Sequence, residues 1–115
     1  MSRPLNDFAL TPHFRLCEFE CRCCRTAMVA SELPGMLEEL RAAWGRPIRI
    51  TSGYRCERHN IAVGGALRSL HRLGRAVDIS ATRSEQIMII DMAKAAGFSS
   101  ILLGNERNYI HIAYE

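Results

Sequence analysis

The chain has 115 residues, 48% of them hydrophobic, with fifteen Lys and Arg against twelve Asp and Glu and a formal charge of +3. That length suits one domain, and that composition excludes a disordered chain. No run of eighteen apolar residues occurs, which argues against a membrane-spanning helix, and the interleaving of basic with acidic residues argues against a nucleic-acid binder.

Residues 1–30 read as an irregular, cysteine-rich segment packed on the core of a single domain spanning 1–115, with Phe14, Leu16 and Phe19 as anchors. Pro4, Asp7 and His13 interrupt any apolar stretch there, so no secretory signal is expected. A first helix is expected over Glu32–Trp44: Ser31 can cap it, Leu33, Leu37, Leu40 and Trp44 recur at helical spacing, and Gly45 ends it. Pro47–Thr51 alternates as a strand does. Gly53, Gly64 and Gly65 bracket a polar stretch, Tyr54–Val63, with room for a short helix. Arg75–Ser80 reads as a second strand, with Val77 and Ile79 on one face and Ala76 and Asp78 on the other. A second long helix is expected over Ser84–Ala96, opened by a Thr82/Glu85 capping box and closed at Gly97. Phe98–Leu103 and Tyr109–Tyr114 read as the last two strands, joined by a turn at Gly104–Asn108. The predicted architecture is α+β: a small, mostly antiparallel sheet with helices on one side.

The chemistry concentrates in Ser69-Leu70-His71-Arg72-Leu73-Gly74-Arg75-Ala76-Val77-Asp78 and in His111, flanked by Ile110 and Ile112. Two imidazoles and a carboxylate form a nitrogen/oxygen set that suits Zn²⁺, and three protein ligands leave a fourth tetrahedral position for water. Gly74 allows a tight turn between His71 and Asp78, and small Ala76 leaves room on Asp78's face. The competing reading is a pair of strand histidines that are simply hydrogen-bonded.

Ser69-x-His71-x-x-Gly74-x-Ala76-x-Asp78, preceded by Thr51-Ser52-Gly53-Tyr54-Arg55 and followed by Ile110-His111-Ile112, resembles the zinc D-Ala-D-Ala peptidases. The stretch His59-Asn60-x-Ala62-Val63-Gly64-Gly65-Ala66 resembles the compact C-terminal peptidase domain of that family, and the likeness covers roughly residues 14–114. The resemblance implies the hedgehog/DD-peptidase fold, zinc held by His71, Asp78 and His111, and peptidoglycan stem peptides as substrate. It also implies a bacterial or phage protein, made in the cytoplasm and reaching the wall by non-classical or lysis-linked export. A monomer is expected.

Arg55 matches the family's arginine in the Ser-Gly-Tyr-Arg motif, which implies a clamp for an oxyanion or a substrate carboxylate; a surface salt bridge is the plainer reading. Ser69 is open to two roles, a hydrogen bond to substrate or a turn cap. Many family members place Asp or Glu three residues before the last zinc-binding His as general base. Here that position is Asn108, whose amide cannot take a proton. Glu106 is the nearest carboxylate in sequence and is expected to serve as base, against the plainer reading of a solvated turn residue; Glu115 is expected to be frayed. The substitution at 108 keeps alive a second function, a zinc-binding cell-wall or phage structural module without hydrolysis.

Five cysteines, an odd number, stand at 17, 21, 23, 24 and 56. Three readings are open: a second metal site drawn from Cys17, Cys21, Cys24 and Cys56, with His13 as another donor; disulfides tying the N-terminal segment to Cys56; or idle thiols. Adjacent Cys23 and Cys24 are not expected to share one ion. Arg68, Arg72 and Arg75 flank the metal motif and are expected to meet an acidic stem peptide or solvent rather than DNA.

Overall fold

A computed structural model of the chain describes residues 6–65 and 69–115; Pro4, Ala66 and Arg68 lie outside the described residues. The N-terminal segment is less irregular than its sequence suggests. Strands β1 (Ala9–Thr11) and β2 (Phe14–Arg15) form a small hairpin, and a 3₁₀ turn follows over Leu16–Phe19. Phe14 and Phe19 are fully buried in the core, whereas Leu16 is only half-buried. The strands are too short to show alternation, which is why their sequence reads as loop.

Helix α1 runs over Leu33–Trp44. Its capping position is Glu32, and Ser31 is not the cap; the Ser31 hydroxyl donates to the Glu32 carboxylate at 3.1 Å. Pro34 in the first turn costs the helix nothing, since N–H groups there have no intrahelical partner. Gly45 ends α1 in the left-handed conformation, φ 72°, with its N–H on the Arg41 carbonyl. Strand β3 occupies Ile50–Ser52, later than the alternation at Pro47–Thr51 suggests. Helix α2 (Glu57–Ala62) is the short helix expected between the glycines. Strand β4 is Ala76–Ser80, helix α3 is Arg83–Ala95 behind the Thr82/Glu85 capping box, β5 is Ser100–Leu103 and β6 is Tyr109–Ala113.

The main sheet has the order β3-β4-β6-β5, antiparallel throughout. Val77, Ile79, Ile110 and Ile112 point to one face, where they share a core with Leu33, Leu37 and Leu40 of α1 and Ile89 and Ala93 of α3. Strand alternation then sends Asp78 and His111 to the opposite face. Helices α1 and α3 therefore lie behind the sheet, as the predicted α+β layout requires. By contrast α2 belongs to the front, because Gly64 and Gly65, just past its end, line the cleft there. No helix among the described residues is long and apolar enough to cross a membrane.

Candidate metal centre

Register brings the first two candidate ligands together. Asp78 on β4 pairs directly with His111 on β6, so both side chains rise from neighbouring points of the front face. His71 arrives from the 3₁₀ turn Leu70–Leu73, which Gly74 closes at φ 69°. A side chain at Gly74 would also meet the Met28 carbonyl oxygen at 2.6 Å, so the turn that sets the His71–Asp78 spacing requires glycine twice over. Ser69 caps this turn: its hydroxyl accepts the His71 backbone N–H at 3.2 Å.

The three donor atoms converge. His111 Nδ1 lies 2.9 Å and His71 Nε2 3.3 Å from Asp78 Oδ1, and the two nitrogens are 3.2 Å apart. The Gly53 carbonyl accepts from His71 Nδ1 at 2.7 Å, which places a proton there and turns Nε2 to the cluster, where that nitrogen can serve as a ligand once it carries no proton. Bonds of about 2.0–2.1 Å to a tetrahedral zinc put neighbouring donors roughly 3.3–3.4 Å apart, close to what is found. The donor set thus fits a zinc ion in both chemistry and spacing.

Asp78 divides its carboxylate between two tasks. Oδ1 faces the histidines, while Oδ2 accepts from Arg55 Nη2 at 3.2 Å. Burial alone would push this carboxyl up, but the hydrogen bonds from His111 and His71 and their charges outweigh it and hold Asp78 well below the usual carboxylate range. Arg55 also donates from Nε to the Ser52 hydroxyl at 3.2 Å. Its ion pair is therefore largely buried against a candidate ligand, which replaces the surface salt bridge entertained from sequence.

A cleft of about 520 Å³ opens over this group, lined among others by Arg55, Ser69, His71, Asp78, Tyr109 and His111, with Leu102 and Leu103 of the edge strand as an apolar wall. Glu106 is not part of it. That residue, the base expected from sequence, is exposed on the 3₁₀ turn Asn105–Arg107, outside the cleft lining. Asn108 is likewise exposed and outside the lining; it takes the left-handed conformation, φ 57°, and its backbone carbonyl accepts from Ala81. The other acidic residue lining the cleft, besides Asp78, is Glu115, which is exposed. Tyr109 was missed too; its alternation with His111 along β6 was the available signal. Neither Arg72 nor Arg75 lines the cleft, and Arg75 stands over the Tyr114 ring at 5.8 Å.

The cysteines regroup differently from the expected set. Cys21, Cys23, Cys24 and Cys56 come together, with sulfurs within 4.8 Å of one another, while Cys17 stays apart on the Leu16–Phe19 turn. The chain turns sharply after Cys21, with Arg25 N–H on the Cys21 carbonyl, and this lets both Cys23 and Cys24 reach the same point. His13 is engaged elsewhere, on Glu38 of α1 at 2.9 Å. All five cysteines are free thiols in the structure. Burial opposes ionisation of Cys21, yet N–H groups of Cys56, Cys23 and Cys24 aimed at its sulfur bring it down to about 6. Cys23, hydrogen-bonded to Cys56, is pushed up to about 12.

Two strand residues, Asp78 and His111, and His71 from a 3₁₀ turn thus gather in an open cleft a donor set able to hold a metal ion. The family model described as peptidase M15 matches residues 12–113, and the chain belongs to that family of metal-dependent peptidases. No curated protein gives a significant match.

Proposed function

We propose that this protein is a zinc peptidase that hydrolyses peptidoglycan stem peptides or cross-links at a D-amino-acid bond, as a D,D-carboxypeptidase or an endolysin-like endopeptidase. The observation that carries the reading is the convergence of His71 Nε2, His111 Nδ1 and Asp78 Oδ1 at near-tetrahedral spacing beneath an open cleft. Membership of the peptidase M15 family supports the peptide substrate. Export linked to lysis would bring the enzyme to the wall.

His71, Asp78 and His111 would hold a zinc ion, which when bound would supply Lewis acidity toward a scissile carbonyl and acidify an attacking water. The protein's own groups do the rest. Arg55 holds Asp78 by one oxygen so that the other stays turned to the histidines. Its Nη1, without a protein partner among the described residues, is the cation offered to a developing oxyanion or a substrate carboxylate. Ser69 accepts from the His71 N–H and keeps its own proton to donate to a substrate carbonyl. Glu115 replaces Glu106 as the proton acceptor, because Asp78 is committed and Glu115 is the other carboxylate on the cleft wall.

Asn108 at the usual base position favours a second reading, a cell-wall or phage module that binds zinc without hydrolysis. Digestion of purified peptidoglycan and defined stem peptides, read by mass spectrometry with a chelator control, separates the two. Chelator-sensitive cleavage establishes the peptidase, and fragment masses distinguish carboxypeptidase from endopeptidase. Intact substrates from several wall types with zinc bound would establish the binding module. Glu115→Gln is expected to lower turnover at least about 100-fold while zinc content is kept; full turnover in that variant would remove Glu115 from the mechanism.

A further inference from the structure

We propose that Cys21, Cys23, Cys24 and Cys56 form a closed tetrathiolate zinc site, separate from the His–Asp centre and structural in role. The sulfurs of Cys21 and Cys23 are 3.6 Å apart, those of Cys21 and Cys56 3.6 Å, and those of Cys23 and Cys56 3.2 Å, with Cys24 completing a set within 4.8 Å. Zinc–sulfur bonds of about 2.3 Å in a tetrahedron give sulfur separations of about 3.8 Å. Four soft donors saturate the ion and leave no position for water, which distinguishes this cluster from the open His–Asp set.

Hydrophobic packing does not account for the cluster. Cys21 is buried, but Cys23 and Cys24 are exposed and Cys56 is half-buried, so burial of small apolar side chains is not what gathers all four. Backbone donors are instead aimed at the sulfurs: Cys56 N–H at Cys21 Sγ, 3.5 Å, and His59 N–H at Cys56 Sγ, 3.4 Å. Such donors stabilise anionic sulfur and are the usual outer partners of a metal thiolate.

The position gives the site its purpose. Regular pairing between Glu20 and Ser31 amounts to one isolated bridge, Glu20 with Ala27. A metal here would staple that loop to Cys56, the N-cap of α2. Cys56 directly follows Arg55, which holds Asp78, and lies three residues past Gly53, whose carbonyl orients His71. The thiolate site would therefore anchor the backbone from which the His–Asp centre is braced.

The test is reconstitution of the full chain with Co²⁺, read by absorption and metal analysis. Two equivalents per chain and a thiolate-to-cobalt charge-transfer band are expected. His71→Ala should keep the band and lose one equivalent; Cys56→Ser should lose the band. In zinc-loaded native protein one thiol, Cys17, should react with a thiol reagent, and all five after denaturation with chelator. A wild-type spectrum without the band, or a never-reduced chain lighter by two hydrogens through a disulfide at Cys56, would overturn the proposal. Because the wild-type spectrum and thiol titre decide by themselves, the proposal stays testable if Cys56→Ser fails to fold. It is also independent of whether the cleft hydrolyses anything.

Discussion

The His–Asp centre and the thiol cluster flank the same short stretch, Ser52–Cys56, yet they are built in opposite ways. Asp78 and His111 stand on paired strands whose other faces are packed into the core, so their spacing is a consequence of sheet register. The four thiols hang from a loop and a helix cap, held by a few N–H···S contacts. The first arrangement is fixed by a strand ladder and the core behind it; the second rests on a loop with few backbone hydrogen bonds, and of its cysteines only Cys21 is buried. A catalytic centre gains from such preorganisation, whereas a closed structural site can contribute its metal affinity to folding itself.

The most damaging change on the first side is His71→Ala. It should remove one metal equivalent and cut activity by about 10³-fold or more, while circular dichroism shows the fold largely kept, because the core behind the sheet does not include this face. Unchanged metal content would contradict the ligand assignment. Arg55→Lys comes next. A point charge replaces a fork that spans Ser52 and Asp78, and about 10–100-fold in activity or metal affinity should go, as for other outer partners of a metal ligand. Wild-type kinetics and affinity would show that Arg55 braces nothing.

Gly53→Ala probes the joint between the two regions. An added Cβ would stand 2.7 Å from the Phe19 Cα and 2.9 Å from its carbonyl oxygen, both backbone atoms that cannot swing aside. The expected cost is about 1–3 kcal/mol in a denaturation midpoint, with weaker metal binding at both centres. Loss confined to one centre would show that they are not mechanically joined.

The smallest effect is acid sensitivity of the metal-free protein. Folding lowers the Asp78 pKa, so its contribution is fully present above the unfolded value of about 4 and is lost as pH falls through the folded one. Wild-type stability should therefore drop between about pH 5 and pH 2 more steeply than that of Asp78→Asn. Parallel curves would mean that the histidines do not stabilise this carboxylate in the absence of metal.

Local rules made much of this molecule legible. The Leu33/Leu37/Leu40 spacing, the Thr82/Glu85 box and the Val77/Ile79 alternation each act within a few residues, and α1, α3 and β4 follow from them. The His71, Asp78 and His111 set was legible as well, since its motif encodes a glycine turn and two strand positions. The hairpin at Ala9–Arg15 was not, because strands of two or three residues carry no period. Which acidic residue joins Asp78 in the cleft lining, Glu115 and not Glu106, depended on the path of the chain around β5 and β6. The grouping of Cys23 with Cys56, in place of Cys17, depended on a turn after Cys21 meeting the cap of α2. Sequence alone determined the long helices, the central strand, the family motif and the candidate metal ligands, because propensity and spacing are short-range. Only the tertiary structure decided which acidic residues line the cleft and the membership of the thiol cluster, because side chains distant in sequence meet only once the sheet register and the loop path are set.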